Sequence, residues 1–454
     1  MGNVVDAVER LLRGALGDVV STVPADLEAA RADRSGQVSH AQPLAVVTAR
    51  SIDDVQVTMR IAHEHNTPVV PRGAGTGLAG GSIAGAGEIV LSTLAMNQIL
   101  EVNVDDELAV VQPGILNDDL NAALAPRGLW FAPDPASKAI STVGGNIATN
   151  AGGLLCAKYG VTRESVLGMK VVLADGRLMS LGHRTVKGVT GYDLTALLIG
   201  SEGTLGIIVE ATLKLRALPA GEKATIGAYF SSIERAARAS AVITASRLRP
   251  AAMELIAQSA LAGIGDYLGL DLGSRGSYLL VQLDGPGAGL EADAAVSIIR
   301  SLGGDAEITT DEVEGERLFA IRRSFHPAMS ALGTVLIEDV AVPRSQLPAM
   351  FSAITEIEKK YGMVIPTVAH AGDGNLHPNF VFEGSEVPAE VWSAANEVFL
   401  ACLRLGGTLT GEHGVGLLKR RWLRDELGDD QVDLQRELKR VFDPTNILNP
   451  GKIF

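Results

Sequence analysis

Twelve residues constrain this chain more than any others: Pro71-Arg72-Gly73-Ala74-Gly75-Thr76-Gly77-Leu78-Ala79-Gly80-Gly81-Ser82. A strand-like run at 67–70 delivers the backbone into them, and five glycines follow within nine residues. Lacking Cβ atoms, such a loop turns tightly and aims several N–H groups at one anion. The ligand this predicts is a pyrophosphate. Gly75-Thr76-Gly77-Leu78-Ala79-Gly80 spells G-x-G-x-x-G, with Glu101 about twenty residues on, as a dinucleotide-binding βαβ unit requires. That fingerprint also needs a helix beginning among the glycines. Here Ser82-Ile83-Ala84-Gly85-Ala86-Gly87 is glycine-broken and carries no apolar stripe, and a strand-like run at 88–93 follows. The reading is therefore phosphate recognition by a loop, without the helix. A glycine-rich surface turn would leave the same trace.

A second stretch separates the two readings. Ser141-Thr142-Val143-Gly144-Gly145-Asn146-Ile147-Ala148-Thr149-Asn150-Ala151-Gly152-Gly153 combines small residues with amide and hydroxyl groups, and Ile199-Gly200-Ser201-Glu202-Gly203-Thr204-Leu205-Gly206-Ile207-Ile208 forms a third. In order and spacing, residues 40–216 resemble the FAD-binding domain of the vanillyl-alcohol oxidase/p-cresol methylhydroxylase superfamily. The remainder, down to Asn446-Ile447-Leu448-Asn449-Pro450-Gly451-Lys452, resembles the C-terminal domain of FAD-linked D-2-hydroxy-acid dehydrogenases and oxidases. The resemblance implies FAD contacts from Pro71, Arg72, Gly73, Ala74, Gly75, Thr76, Gly77, Leu78 and Ser82 in the first stretch. It adds Pro135, Ser137, Thr142, Gly144, Gly145, Asn146, Ala148, Thr149, Asn150 and Gly152 from the second region. Glu202, Gly206, Ile207, Ile208 and Asn449 complete the set. Superfamily members that bond FAD covalently use histidine, cysteine or tyrosine near the ring. The loop 72–82 holds none, His183 lies outside the motifs, and Cys156 has no histidine-bearing counterpart, so the expected FAD is non-covalent.

At 454 residues the chain has room for two or three domains. The resemblance implies an α+β architecture: a two-subdomain FAD-binding domain over 1–216, then a substrate or cap domain over 217–405 whose sheet is covered by helices. A segment 406–454 returns to the FAD domain and active site. The pattern agrees. Val4, Val5, Val8, Leu11, Leu12 and Leu16 recur at helical spacing. Ser51 caps a helix with Asp54 three residues on, running to about His65, and the strand at 68–70 closes a β-α-β unit that presents the glycine loop. A hairpin at 99–111, a helix at 117–125 and strands at 169–173 and 207–215 follow. Beyond about residue 220, strands at 225–229 and 278–283 alternate with helices at 233–247 and 291–302. A helix over 312–332, a strand over 335–342, a helix over 346–361 and a strand over 364–370 come next, suggesting helices on one face of a sheet.

A net charge of −14 argues against a nucleic-acid partner, and an anionic substrate would need a local cationic site. Two distant cysteines, Cys156 and Cys402, encode neither an iron–sulfur cluster nor a cysteine zinc site, and suit a reducing cytoplasm. No signal peptide and no apolar run of about 18 residues is expected.

Of eight histidines, three fall in two compact motifs. In Val368-Ala369-His370-Ala371-Gly372-Asp373-Gly374-Asn375-Leu376-His377-Pro378-Asn379 a strand ends at His370, and a glycine turn can bring His377 back beside it. The second motif is Gly411-Glu412-His413-Gly414-Val415-Gly416. Two imidazoles and a carboxylate form a common divalent-metal set with positions left for substrate. Alone, a histidine pair in a sheet is more often structural; two such motifs in glycine loops, one beside a glutamate, weigh the other way. The family carries the same patterns. By position it implies that His370, His377 and Glu412 bind a divalent metal, zinc or manganese, that His413 is the catalytic base and that Asn379 contacts substrate. Arg322, in Phe319-Ala320-Ile321-Arg322-Arg323, would hold the substrate carboxylate, against the alternative of a solvated helix arginine.

One departure bears on substrate. Members that oxidise dicarboxylates such as 2-hydroxyglutarate tend to carry a lysine just before the acidic strand, where this chain has Ile337 in Val335-Leu336-Ile337-Glu338-Asp339. The expected reaction is oxidation of a D-2-hydroxy acid, D-lactate-like or glycolate, to the 2-oxo acid. The alternatives are a D-2-hydroxyglutarate dehydrogenase and the flavoprotein subunit of a multi-subunit glycolate oxidase. The electron acceptor is left open among a quinone, an electron-transfer flavoprotein and a partner subunit. A cytoplasmic setting is expected; a homodimer and attachment to the inner membrane face are left open. Asp339 or Glu338 would either support a metal histidine or form a solvated strand end.

Overall fold

A computed structural model describes residues 2–384 and 386–454, with side chains from Ala7 onward. The chain divides into two compact units: residues 1–152, 160–218 and 412–454 form the first, and residues 153–159 and 219–411 the second.

The first unit begins with the helix Gly2–Leu16, which buries Val8 and Leu12 while Leu11 stays exposed. The side chains of Val4 and Val5 lie outside the described residues. A four-stranded sheet runs Val20–Ser21, Ala45–Thr48, Ile89–Ser92, Val69–Arg72, the last three parallel. The helix Ile52–Glu64 makes the crossover. It starts where Ser51 Oγ accepts from Asp54 N–H at 3.1 Å and Asp54 returns an oxygen to Ser51 N–H at 3.0 Å. Its Val55, Met59 and Ala62 pack on Val47, Val69 and Leu91. The strand that opens with Val69 thus ends at Arg72, at the mouth of the glycine loop.

A second, antiparallel sheet has the order Ile99–Asn103, Leu108–Val111, Ile207–Lys214, Val166–Val172, Leu178–Gly182. The helices Asn117–Leu124 and Val143–Thr149 cover it, burying Leu120 and Ile147, together with Phe131 from the connection between them, against Val111, Val171 and Leu213. The returning segment carries the helix Leu423–Phe442, kinked at Gly428 (φ 74°). Its end then lies along the first sheet: Val69 N–H donates to Ile447 O at 2.7 Å and Asn449 N–H to Val69 O at 2.8 Å.

The second unit is an eight-stranded sheet. Its order is Asp305–Thr309, Lys223–Phe230, Ser277–Asp284, Ala252–Ile256, Thr367–His370, Asn375–Phe382, Thr334–Ile337, with Val340–Ala341 also paired to Asn375–Phe382. Helices cover both faces, not one. Tyr278 and Leu280 pack with Leu261, Phe325 and Met329 on one side. Their neighbours Leu279 and Val281 are equally buried, facing the side where the helices Ile233–Ala245 and Ala288–Ser301 run. The expected helix over 312–332 is two, Glu312–Arg323 and Phe325–Leu332, because Pro327 has no N–H to continue the first. The expected strand over 335–342 is likewise two, interrupted at Glu338 and Asp339. No described helix is long and apolar enough to cross a membrane.

Candidate active site

In the first unit the three glycine-bearing stretches converge. Pro71 and Arg72 end their strand, and residues 73–82 run as a half-buried to buried loop. The Arg72 guanidinium closes this loop on itself, donating to Ser82 O at 2.8 Å and to Ala32 O at 2.9 Å. Burial lowers its pKa, partly offset by Asp33. A Cβ on Gly73 would lie 2.5 Å from Thr142 Oγ1, and one on Gly144 2.5 Å from Pro113 Cβ, so both glycines are set by close approach. Thr142 caps the helix Val143–Thr149, which carries Gly144, Gly145, Asn146, Ala148 and Thr149, and Asn150 ends it at φ 51°. Pro135 and Ser137 form the turn before it, accepting from Lys138 N–H and Ser141 N–H at 2.8 Å each. Gly152 is buried nearby in the chain. Gly206 precedes the strand that opens with Ile207 and Ile208, all buried.

Asn449 ties two of the stretches together, its Nδ2 donating to Gly81 O at 2.8 Å and Glu202 O at 2.7 Å. Among the described residues, Ser82 Oγ, Ser141 Oγ, Asn146 Nδ2 and Asn449 Oδ1 are buried with no hydrogen-bond partner. Buried polar atoms are ordinarily paired, so a cradle lined with donors and acceptors in want of partners fits a polar, phosphate-bearing cofactor such as FAD.

Glu202 also holds a neighbouring loop. Its carboxylate accepts from Val415 N–H at 2.7 Å and Gly416 N–H at 2.9 Å, holding the loop that carries Glu412 and His413. Burial pushes this carboxyl up to about 7, against the pull of the two amides and Lys419. Glu412 Oε1 lies 3.9 Å from His413 Nε2, and both side chains are largely buried.

The second unit builds its chemistry on one sheet face. Register sets Glu254 opposite His370, His370 opposite Asn375, Val368 opposite His377 and Ile337 opposite Asn379. With a side-chain period of two, Glu254, His370, Asn375, His377 and Asn379 share a face. The His370 and His377 rings stand edge to face, centroids 5.1 Å apart. Glu254 Oε1 is within hydrogen-bond distance of His370 Nδ1, at 2.7 Å, whereas Asp339 Oδ1 stands 3.6 Å from His377 Nδ1, beyond a hydrogen bond. The Glu254 contact suits His370 Nε2 to ligation, the usual support for a metal-bound histidine; these residues fit a divalent ion. Asp339 is fully buried and Glu338 nearly so, so neither is a solvated strand end. Asp339 also accepts from Asn375 Nδ2 at 2.7 Å and Thr410 Oγ1 at 2.6 Å, fixing the chain just before it leaves this unit at Gly411.

The helix Glu312–Arg323 covers this face and lays Arg322 upon it, Nε donating to Glu254 Oε2 at 2.8 Å. Its side chain is 14% exposed, which excludes the solvated alternative. Its two terminal nitrogens have no hydrogen-bond partner among the described residues, and the same holds for the buried Asn379 Oδ1. Within this unit the structure therefore groups His370, His377, Asn379 and Arg322; within the first it sets Glu412 beside His413. Sequence reasoning passed over Glu254, Thr410 and Asn375. Glu254 left one signal, a lone charge in the apolar run Ala251-Ala252-Met253-Glu254-Leu255-Ile256.

Comparison with known proteins shows the family. Residues 43–182 match the family described as FAD binding domain, and residues 220–453 match FAD linked oxidases, C-terminal domain. The chain is 42% identical over 421 residues to glycolate oxidase subunit GlcD of Bacillus subtilis, covering 91% of this chain and 89% of that one. It is 36% identical over 419 residues to a D-lactate dehydrogenase of Archaeoglobus fulgidus, covering 91% and 92%. Among solved structures, p-cresol methylhydroxylase with substrate bound superposes with a TM-score of 0.81 at 18% identity, covering 100% of this chain and 97% of that one. That last likeness establishes the fold.

Proposed function

The chain belongs to the family of FAD-linked oxidases, and we propose that it oxidises a small D-2-hydroxy acid, D-lactate or glycolate, to the 2-oxo acid. The observation that carries this reading is the buried face of the second unit: His370, His377 and Asn379 beside Arg322, whose terminal nitrogens await a partner. When bound, FAD supplies the two-electron acceptor and a divalent ion, zinc or manganese, supplies Lewis acidity toward the substrate oxygens. His370, His377 and Glu412 would hold the ion. Arg322 would grip the carboxylate end-on through its two free nitrogens, a fork that fixes orientation as well as charge. Asn379, whose Oδ1 is buried and unpartnered, would contact the substrate. His413 would take the hydroxyl proton, a task suited to a group that titrates near neutrality. The substrate thus gives up a proton from oxygen and a hydride from C2. The glycine loop, the helix from Thr142 and the Glu202 turn would bind FAD non-covalently.

A second reading concerns assembly. The likeness to a glycolate oxidase subunit favours a chain that works with partner subunits and passes electrons onward through them, with the same residues doing the oxidation. Either setting is proposed to be cytoplasmic. Anaerobic mixing of the FAD-loaded protein with a panel of D- and L-2-hydroxy acids tests the reaction. Bleaching of the flavin band by D-lactate or glycolate supports it. A flavin that dithionite reduces and no 2-hydroxy acid does would refute it.

A further inference from the structure

The His370 ring and the Arg322 guanidinium meet on a single carboxylate. Glu254 lies mid-strand, fully buried, directly across the ladder from His370. One oxygen, Oε1, is 2.7 Å from His370 Nδ1, and the other, Oε2, is 2.8 Å from Arg322 Nε. Its strand neighbours Ala252, Met253, Leu255 and Ile256 are all buried and apolar. The core there would be served as well by leucine or methionine, and an ion pair of this kind is commonly no more stable than packed apolar residues. Packing therefore gives no reason for a carboxylate at this position.

Its two partners do. A histidine that donates from Nδ1 to a carboxylate keeps the lone pair on Nε2, the tautomer a metal requires. An arginine whose Nε is engaged presents both terminal nitrogens to one side, the fork that matches a substrate carboxylate. We propose that Glu254 is a positioning residue serving both: it sets the tautomer of His370 and the aim of Arg322, so that metal affinity and carboxylate recognition depend on one side chain. This rests on the metal-assisted reading above.

Glu254→Gln separates the roles, because an amide has a single acceptor oxygen. Turned toward Arg322, it points its NH₂ at His370 Nδ1 and moves the ring proton to Nε2. Turned toward His370, it points that NH₂ at the Arg322 Nε–H. Three measurements on FAD-loaded protein test the proposal, the first and third responding when the amide oxygen serves Arg322 and the second when it serves His370. Zn²⁺ affinity, by chelator competition, should weaken about 10–100-fold, the usual cost of losing such support. KM for the best 2-hydroxy acid of the panel should rise by about tenfold or more. The His370 Nδ1–H signal in ¹⁵N-histidine spectra, identified with His370→Gln, should disappear.

Should the single variant fold poorly, Glu254→Met combined with Arg322→Met removes the ion pair whole and keeps the core apolar. It should melt near the wild-type temperature and still lose zinc affinity. A wild type that binds no Zn²⁺ overturns the metal assignment itself. Wild-type binding, with unchanged Zn²⁺ affinity and KM in Glu254→Gln, overturns the positioning role alone.

Discussion

Replacing Glu202 by glutamine probes how the first unit holds its histidine-bearing loop. The carboxyl is buried between the peptide N–H groups of Val415 and Gly416, and burial raises it from 4.5 to about 7. A folded-state value above the unfolded one means the native protein keeps a proton that the unfolded chain has lost. The contribution is thus complete below about pH 4.5 and disappears as pH rises through 7. At about 1.4 kcal/mol per pH unit, the window from 4.5 to 7 is worth about 3 kcal/mol. Glutamine cannot titrate. It keeps one acceptor and turns its NH₂ toward the second N–H, a pH-independent cost of about 1–3 kcal/mol. The stability gap between wild type and Glu202→Gln should therefore shrink by about 3 kcal/mol between pH 5 and 8, and it reverses if the fixed cost is small. For a unit of roughly 250 residues, 1 kcal/mol moves Tm by about 2 °C, so the Tm gap should change by about 6 °C. Scanning fluorimetry of both proteins with equal excess FAD and constant ionic strength reads this directly. A Tm gap that stays constant across that range would refute a buried carboxyl titrating near neutrality.

Other consequences are more direct. Acid precipitation should leave FAD in the supernatant; flavin in the pellet would mean a covalent bond that the histidine- and cysteine-free loop 72–82 gives no means to form. Chelation should abolish turnover while FAD stays bound, and Zn²⁺ or Mn²⁺ should restore it; full activity of metal-free protein would leave His370, His377 and Glu412 with hydrogen-bonding roles only. His413→Ala should lower the limiting rate of flavin reduction about 10²–10⁴-fold, whereas Arg322→Lys should act mainly on KM; a near-wild-type limiting rate for the first would assign the base elsewhere. Ile337→Lys, on the position paired with Asn379, should raise kcat/KM for 2-hydroxyglutarate relative to D-lactate, and an unchanged ratio would count against that position as a specificity determinant.

The parts of this protein that were legible from sequence are those in which a local rule has one outcome. The Ser51/Asp54 capping box reports a helix start because both side chains bond backbone within one turn. Gly73 and Gly144 report close approaches of the chain because neither has room for a Cβ. The lack of a helix after Gly80 was legible for a related reason, since Ser82 to Gly87 offers no apolar stripe to bury. What was hidden depends on register. His370 and His377 are seven residues apart, and the spacing alone does not say that a strand resumes at Asn375 and returns both rings to one face. Glu254 was harder still: it lies 116 residues before His370, and only the pairing of two distant strands makes them neighbours. Lys439 shows the same limit. It spans Thr204 O, Leu448 O and Asp443 from a helix whose sequence reads as a solvated charged face.

The charges on the second unit's sheet face bear on what the proposed substrate can carry. Glu254 is matched by Arg322, and Asp339 is satisfied by the neutral groups of Asn375 and Thr410. The guanidinium has its Nε committed to Glu254, so a single fork remains, enough for one carboxylate. A second carboxylate brought onto this face would have to leave water, and a buried charge without a partner is strongly disfavoured. The register position beside Asn379 holds Ile337, which can shed water from an alkyl group and cannot accept or offer a charge. Discrimination of this kind comes as much from the partner withheld as from the one supplied. A short alkyl group or a hydrogen at C2 suits that position, which is why D-lactate and glycolate stand ahead of a dicarboxylate in the proposed reaction.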